Sequence, residues 1–516
     1  MTWQRAAIFA ALFLLHAVSP ALGQDVTLTS RDGAVEITGT LLGFDGEYYR
    51  VDTKFGELTV DGSGVLCDGP GCPNLSAFVA EVAFSGSSMM AEVLLPALIE
   101  GFALRNGLRT SRHDLDSNHF VYALMNADTG TTTARFSFRV TNTDEGFADL
   151  LANEADVVMA LREIRADERR RARDAGMGDL TGPSRSRVLA LDAMVPVVAP
   201  SNPIRRVSIP DLARIFAGEI DNWAVLGGPD APIALHLPAN GFGLAQAVED
   251  RLMGPIELAL SADTVRHDRS SDLARAVVSD PFAIGLASYA ETGATRALTL
   301  TGDCGFSLSA NRLTIKTEDY PLNSPMFLYL PARRLPKAAR EFLRYSRGPA
   351  AQIVIRRSGF VDQTPEEISV NAQGDRFMNA IASAGPETSL EQLQEMVETF
   401  DPMARLTTSF RFETGSVRLD AQSRSNVEQL ARAIESGAYD TRALLFVGFS
   451  DGEGPAVTNR RIAEARARAV RDAVLRSAET AKPQIEIAAF GEALPMACDD
   501  SDWGRQVNRR VEVWVR

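Results

Sequence analysis

Histidine, cysteine and surplus positive charge are all scarce in this chain of 516 residues, and each scarcity removes a class of function. The 5 histidines, His16, His113, His119, His236 and His267, are scattered and form no zinc motif. No Gly-x-Ser-x-Gly elbow, Walker loop or Cys/His nucleophile pair is present, so no catalytic residue, metal or cofactor is expected and the chain reads as a non-enzyme. Paired acids such as Asp499-Asp500 have no partner constellation and read as solvent-facing. The formal net charge is -14, which excludes nucleic acid as a partner and argues against docking on anionic lipid. Past the first residues no apolar run approaches the ~20 residues of a spanning helix. No series of long amphipathic strands suggests a membrane barrel.

Residues 1–23 read as a secretory signal. Arg5 supplies charge, Ala6 to Val18 an apolar core, and Ala21-Leu22-Gly23 a small-residue cleavage site. Gln24 stands where a lipoprotein has its cysteine, so no lipid anchor is expected. The mature chain is expected in the periplasm of a Gram-negative cell. In that oxidising compartment 4 cysteines favour disulfides. Cys67 and Cys72, in the turn-rich run Cys-Asp-Gly-Pro-Gly-Cys, are predicted to pair. Cys304 and Cys498 either pair across domains or stay free.

The most informative stretch lies near the end. An apolar strand, Ala443 to Val447, stops at Gly448. A polar loop follows, Phe449-Ser450-Asp451-Gly452-Glu453-Gly454, and a helix is predicted to start near Thr458 as its cap. Asn459 and Arg466 then share one helical face, with the Asp451 carboxylate beside it. In this helix Ile462, Ala465, Ala469 and Val470 are expected to pack, with Arg466 toward a solvated pocket edge. One fixed anion and one fixed guanidinium suit a zwitterion: Asp451 takes an ammonium and Arg466 a carboxylate.

This spacing resembles the peptidoglycan-binding domain of the OmpA family. Asp451, Asn459 and Arg466 fall at the family's positions, with Asn508-Arg509-Arg510-Val511-Glu512 closing the chain. Phe412-Glu413-Thr414-Gly415-Ser416 and Leu419 match its opening strand, and Gly491-Glu492 with Pro495 its later turn. Phe449 and Ser450 replace a His-Thr pair, and Ile462-Ala463 a Leu-Ser pair. The resemblance covers about residues 406–516. It implies an α+β sandwich that holds the amino-carboxylate end of diaminopimelate, with Ser450, Asp451, Asn459, Arg466, Arg509 and Arg510 as binding residues.

Upstream, residues 25–66 alternate apolar and polar between the turns Asp32-Gly33 and Asp45-Gly46, which predicts a small bent β-barrel. Gly43-Phe44-Asp45-Gly46 resembles the turn of Sm-like barrels. Residues 80–363 alternate strands and helices. Three polar stretches there, Ser85-Gly86-Ser87-Ser88, Thr141-Asn142-Thr143 and Asn240-Gly241-Phe242-Gly243, each precede a helix. Helix N-termini meeting at one cleft would make an uncharged anion trap. The charge-dense run Arg162 to Arg171 reads as a solvated helix.

The segment resembles the periplasmic phosphate-binding proteins, two-lobed type II solute receptors. The resemblance rests on Ala190-Leu191-Asp192, Val195-Pro196-Val197-Val198, Ile215-Phe216-Ala217-Gly218-Glu219-Ile220-Asp221-Asn222-Trp223, Asp280-Pro281-Phe282 and Tyr320-Pro321-Leu322. It implies a small-ligand cleft formed by Ser87, Ser88, Thr141, Asn142, Thr143 and Gly243. Pro238, Phe242, Gly243 and Leu244 stand where the family has an arginine and two hydroxyls, and Leu161 replaces a polar residue. A buried phosphate needs nearly every oxygen satisfied, so a scaffold without classical phosphate binding is expected.

The expected organisation is a signal (1–23), a small Sm-like β-barrel (24–76), a periplasmic binding protein-like α/β domain (79–363), a helical linker (364–405) and an OmpA-like domain (406–516). The expected function is non-enzymatic: a cell-envelope protein associated with the cell wall and outer membrane, anchored to peptidoglycan. A phosphate or oxyanion receptor for an ABC transporter is one alternative. A scaffold that binds an envelope protein partner is another.

Overall fold

The computed structural model describes residues 25–75, 78–182, 184–241, 243–302, 304, 306–385, 387–413, 415–479 and 483–516. The signal read over 1–23, Gln24, and Phe242 and Thr414 of the motifs above lie outside the described residues. No helix among the described residues is long and apolar enough to cross a membrane.

The N-terminal unit is a curled antiparallel sheet of five strands, in which Asp25–Ser30 lies between Glu36–Phe44 and Val65–Asp68. Alternate residues Val26, Leu28, Tyr49 and Val51 fill its concave side. The Asp45-Gly46 turn forms as expected: Asp45 Oδ1 accepts from the amides of Glu47 (2.9 Å) and Tyr48 (2.7 Å), and Gly46 takes φ +91°. Cys67 and Cys72 are bonded, with Cα atoms 5.8 Å apart. The short segment 334–338 also belongs to this unit, with Arg334 set 4.1 Å from the centre of the Tyr48 ring.

The second compact unit comprises Glu81–Arg333 and Ala339–Arg516. Its larger part has the expected two lobes. The long strand Ser186–Val198 crosses between them: Ser186 to Ala193 pair with Asn323–Tyr329, and Met194 to Val198 pair with Ala283–Ser288. Strands Ala80–Ser87 and Val157–Ala160 run parallel in the first lobe. Gly86 is required there, because a β-carbon would lie 2.1 Å from the Met159 carbonyl oxygen. Ser85, Gly86 and Ser87 therefore finish the strand rather than form a loop, and the next helix enters through a wide turn, Met90–Leu94.

The last sheet has the order Glu367–Ser369, Ala404–Arg411, Arg510–Val515, Ala443–Phe449, Gln484–Gly491. Both of its faces are covered. Leu444, Phe446, Val511 and Val513 face helices Ala421–Glu435 and Ala456–Ser477. Leu445, Val447, Phe449 and Trp514 face helices Gly374–Ala382 and Leu390–Phe400, with Phe400 stacked on Trp514 at 4.0 Å. The stretch 364–405 thus supplies one strand and two helices to this sheet.

The receptor-like part and the last sheet are joined by buried charge and by a disulfide. Asp319 accepts from Arg405 (2.8 and 3.2 Å) and from Arg411 (3.3 Å). Burial raises the Asp319 carboxyl, but Arg405 and its neighbours outweigh it and hold the group below its usual range. Glu512 pairs with Arg510 (2.8 Å), Arg405 (3.2 Å) and Arg376 (2.5 Å) in the same interior. Cys304 is bonded to Cys498, which resolves their pairing.

Two carboxyls at this junction are strained electrostatically. Glu163 accepts from the Ala421 amide (2.5 Å), and Glu318 accepts from Asn426 (3.1 Å). Burial and the nearby Asp420 charge push Glu163 up to about 7 and Glu318 up to about 8. A carboxyl with a raised folded pKa gives its full stability below the unfolded value, and loses it as pH rises through the folded one. Glu318→Gln, a neutral isostere, is expected to match the parent near pH 5 and to melt several degrees higher near pH 9. Thermal melts across that range check this; a pH-independent difference would contradict it.

Candidate functional site

Gly448 sets the geometry of the site near the chain end. A β-carbon there would lie 2.0 Å from the Ala463 carbonyl oxygen, so the helix rests directly on the strand. The helix spans Ala456–Ser477 with Pro455 before its first turn; Thr458 lies within that turn instead of capping it. The close contact turns Asn459, Ala463, Arg466, Ala467, Val470 and Val474 inward. The packing face predicted from Ile462, Ala465 and Ala469 is displaced by one position, and Ile462 is 39% exposed. Large Ile462 cannot occupy a contact that only a small residue such as Ala463 fits.

Arg466 is consequently buried, at 5% exposure, where the pattern placed it at a solvated edge. Its guanidinium lies 5.3 Å from the centre of the Phe412 ring. Among the described residues no carboxylate comes within ion-pair distance of it, and its Nε has no hydrogen-bond partner. Burial lowers its pKa, Arg509 adds to that, and Asp451 opposes it. An arginine stays cationic under such a shift at neutral pH. Asp451 is also nearly buried and accepts from Arg509 at 2.6 Å. The loop is held by the Ser450 amide on the Gly491 carbonyl (2.9 Å) and the Gly452 amide on Asp499 (2.7 Å). Asp499, read as solvent-facing, thus has a structural bond.

Asn459 donates to Glu492 at 2.7 Å, and the Ser450 hydroxyl is buried without a partner. The fold therefore gathers Ser450, Asp451, Asn459, Arg466 and Arg509, and adds Phe412, whose role the motif had given only as part of a strand. Arg510 stands apart. It is fully buried, bonded to Glu512 and to the Leu494 carbonyl (2.8 Å), and burial lowers its pKa to about 9. Asn508 uses both side-chain atoms on backbone 496–497 and on Asp499. Within the closing motif only Arg509 reaches the site.

The interlobe cleft is shut. Ser87, Ser88, Thr143, Gly243 and Leu161 are buried, while Thr141 and Asn142 are half-buried. A β-carbon on Gly243 would lie 3.1 Å from Leu161 and 3.3 Å from the Ser87 hydroxyl, so both crowd this glycine. The backbone donors an anion would need here are already used. The Thr143 amide donates to Gln246 (3.2 Å), the Leu161 amide donates to the Thr143 hydroxyl (3.1 Å), and Asn142 caps its own helix (2.9 Å). The Ser87 hydroxyl, beside Gly243, has no partner. Arg165 bonds Asp250 of the second lobe at 2.9 Å and Asp144 of the first at 3.0 Å, across the cleft. Arg162, expected in a solvated run, is only partly exposed and pairs with Glu168 at 2.6 Å.

Comparison with known proteins follows this division. The family model described as "PBP superfamily domain" matches residues 117–348, and that of the "OmpA family" matches residues 411–509. Phosphate-binding protein PstS of Borreliella burgdorferi is 22% identical over 202 residues, spanning 37% of this chain and 70% of that protein. Outer-membrane lipoprotein YfiB of Pseudomonas aeruginosa is 34% identical over 98 residues, spanning 19% of this chain and 56% of that protein. Among solved structures, an ABC-type phosphate transport receptor from Vibrio cholerae is 17% identical with a TM-score of 0.42, covering 54% of this chain and 99% of the receptor.

A cleft closed on Leu161 should not respond to phosphate. Millimolar phosphate is expected to leave the melting temperature of the full chain where equal chloride leaves it; a phosphate-specific rise of several degrees would contradict this.

Proposed function

We propose, for a chain that carries a PBP superfamily domain followed by an OmpA family domain, a non-enzymatic cell-envelope protein that anchors to peptidoglycan. The last domain holds the free amino-carboxylate end of diaminopimelate. Asp451 takes the ammonium, Arg466 takes the carboxylate, and Ser450 and Asn459 flank them. The observation that carries the reading is the buried Arg466 guanidinium with no carboxylate partner among the described residues. A buried cation without a counter-ion is costly, and a ligand carboxylate offsets that cost. Arg509, held on Asp451 at 2.6 Å, is placed to share the incoming carboxylate once an ammonium replaces it. The names of the relatives, a phosphate-binding protein and an outer-membrane lipoprotein, support an envelope location. Because its cleft is closed on Leu161, the receptor-like domain acts as a retained scaffold and not as a phosphate carrier.

The full chain is expected to co-sediment with diaminopimelate-type peptidoglycan. Each ligand charge needs a charged partner, at about 1.5–3 kcal/mol per charge-assisted hydrogen bond. Asp451→Ala and Arg466→Ala should each weaken binding roughly ten- to hundred-fold. Arg466→Lys should be impaired too, since an ammonium cannot make a planar two-point contact. Asn459→Ala should cost less. Variants that keep the parent's circular dichroism and still co-sediment like the parent would sink the proposal.

A further inference from the structure

The Phe412 ring beside Arg466 also borders a separate space. A cavity of about 520 Å³ lies where the receptor-like part meets the last domain. That is within the range of small-ligand sites, about 300–1,000 Å³. Arg251, Glu318 and Tyr320 line it from one side, and Phe412, Trp503 and Gln506 from the other. Gln506 is exposed, so the space reaches solvent. Phe412 is the shared wall: Arg466 lies 5.3 Å from its ring centre, and the ring also borders the cavity.

The lining has a definite chemistry. Arg251 makes no hydrogen bond or ion pair among the described residues, although Glu318 and Asp250 are close enough to affect its charge. The Asn323 amide oxygen, also on the wall, is buried without a partner, while its nitrogen donates to the Ile315 carbonyl (3.0 Å). Trp503 is tied to the Pro321 carbonyl at 3.3 Å, which fixes its ring. One uncommitted guanidinium, amide and carboxyl groups, and fixed aromatic rings together suit a short peptide that bears a free carboxylate.

We infer that this cavity receives the stem peptide that continues from the diaminopimelate end, with Arg251 pairing the free α-carboxylate of its neighbouring γ-linked D-glutamate. The inference rests on the peptidoglycan reading above. It makes the site composite: the last domain takes the diamino acid, and the receptor-like domain reads the next residue. Glu318, held largely protonated at neutral pH, and Glu163, about half protonated there, both raised by burial and by Asp420, then offer hydrogen bonds to peptide amides and repel the acidic ligand less. This gives the receptor-like domain a ligand contact in a cavity that borders Leu161 and Arg162 and is shared with the last domain.

Calorimetry on the full chain tests the assignment with three probes: free meso-diaminopimelate, the tripeptide L-Ala-γ-D-Glu-meso-diaminopimelate, and the same tripeptide with its D-glutamate carboxyl amidated. The acid tripeptide is expected to bind at least about ten-fold more tightly than free diaminopimelate, one charged contact being of that order. Arg251→Gln should remove that gain and leave free diaminopimelate binding unchanged, and the amidated tripeptide should show the same loss on the parent chain. If diaminopimelate binds but the tripeptide gains nothing, or if Arg251→Gln retains the gain, the cavity assignment is overturned and the anchoring reading stands. If none of the three binds, the anchoring reading fails and takes this inference with it.

Discussion

Asp319 is the charge on which the arrangement of the two larger domains depends. It comes from the receptor-like part, is buried, and accepts from Arg405 and Arg411 of the last sheet. Removing one partner of a buried pair costs about 3–5 kcal/mol, because the other is left uncompensated. Asp319 and Glu512 together face four arginines, Arg376, Arg405, Arg411 and Arg510. Such a network admits few geometries, and with the Cys304–Cys498 bond it fixes one domain on the other. The cavity beside Phe412 is a consequence of that fixed junction.

The same economy explains the two sites. In the last domain, Gly448 lets a helix lie against the strand, which drives Arg466 inward and leaves it without a counter-ion among the described residues. In the receptor-like domain, Leu161 occupies the position where a polar group would meet an anion, and the Thr143 and Leu161 amides are bonded within the protein. One site keeps an unmet charge, and the other has its Thr143 and Leu161 amides satisfied and leaves only the Ser87 hydroxyl unpartnered. On the function proposed above, that contrast favours a zwitterion at the chain end over a small oxyanion between the lobes.

Much of this was legible in the sequence. Hydrophobic alternation and turn signals gave the bent N-terminal sheet, and scaffold motifs gave the two lobes and the last α+β domain. Asp451, Asn459 and Arg466 could be brought together because their spacing is local. What stayed hidden depends on long-range packing. Arg509 and Arg510 are adjacent in the chain, yet only the network around Glu512 separates their roles. The inward face of the helix shifted because a pattern of apolar residues does not register a 2.0 Å approach at Gly448. The segment 364–405 looked like a linker because its polar residues outnumber the few, Leu393, Met396 and Phe400, that pack on the sheet. Arg251 carried no motif and is noticeable only beside the residues of another domain.

A crystal structure of the full chain with the diaminopimelate tripeptide tests the central claim most directly. The account predicts the ligand ammonium on Asp451 and its carboxylate on Arg466, the peptide running past Phe412 toward Arg251, and Leu161 still seated between the lobes. Density for a small anion among Ser87, Thr143 and Gly243, with the Asp451–Arg509 pair undisturbed and no ligand at Arg466, would contradict it.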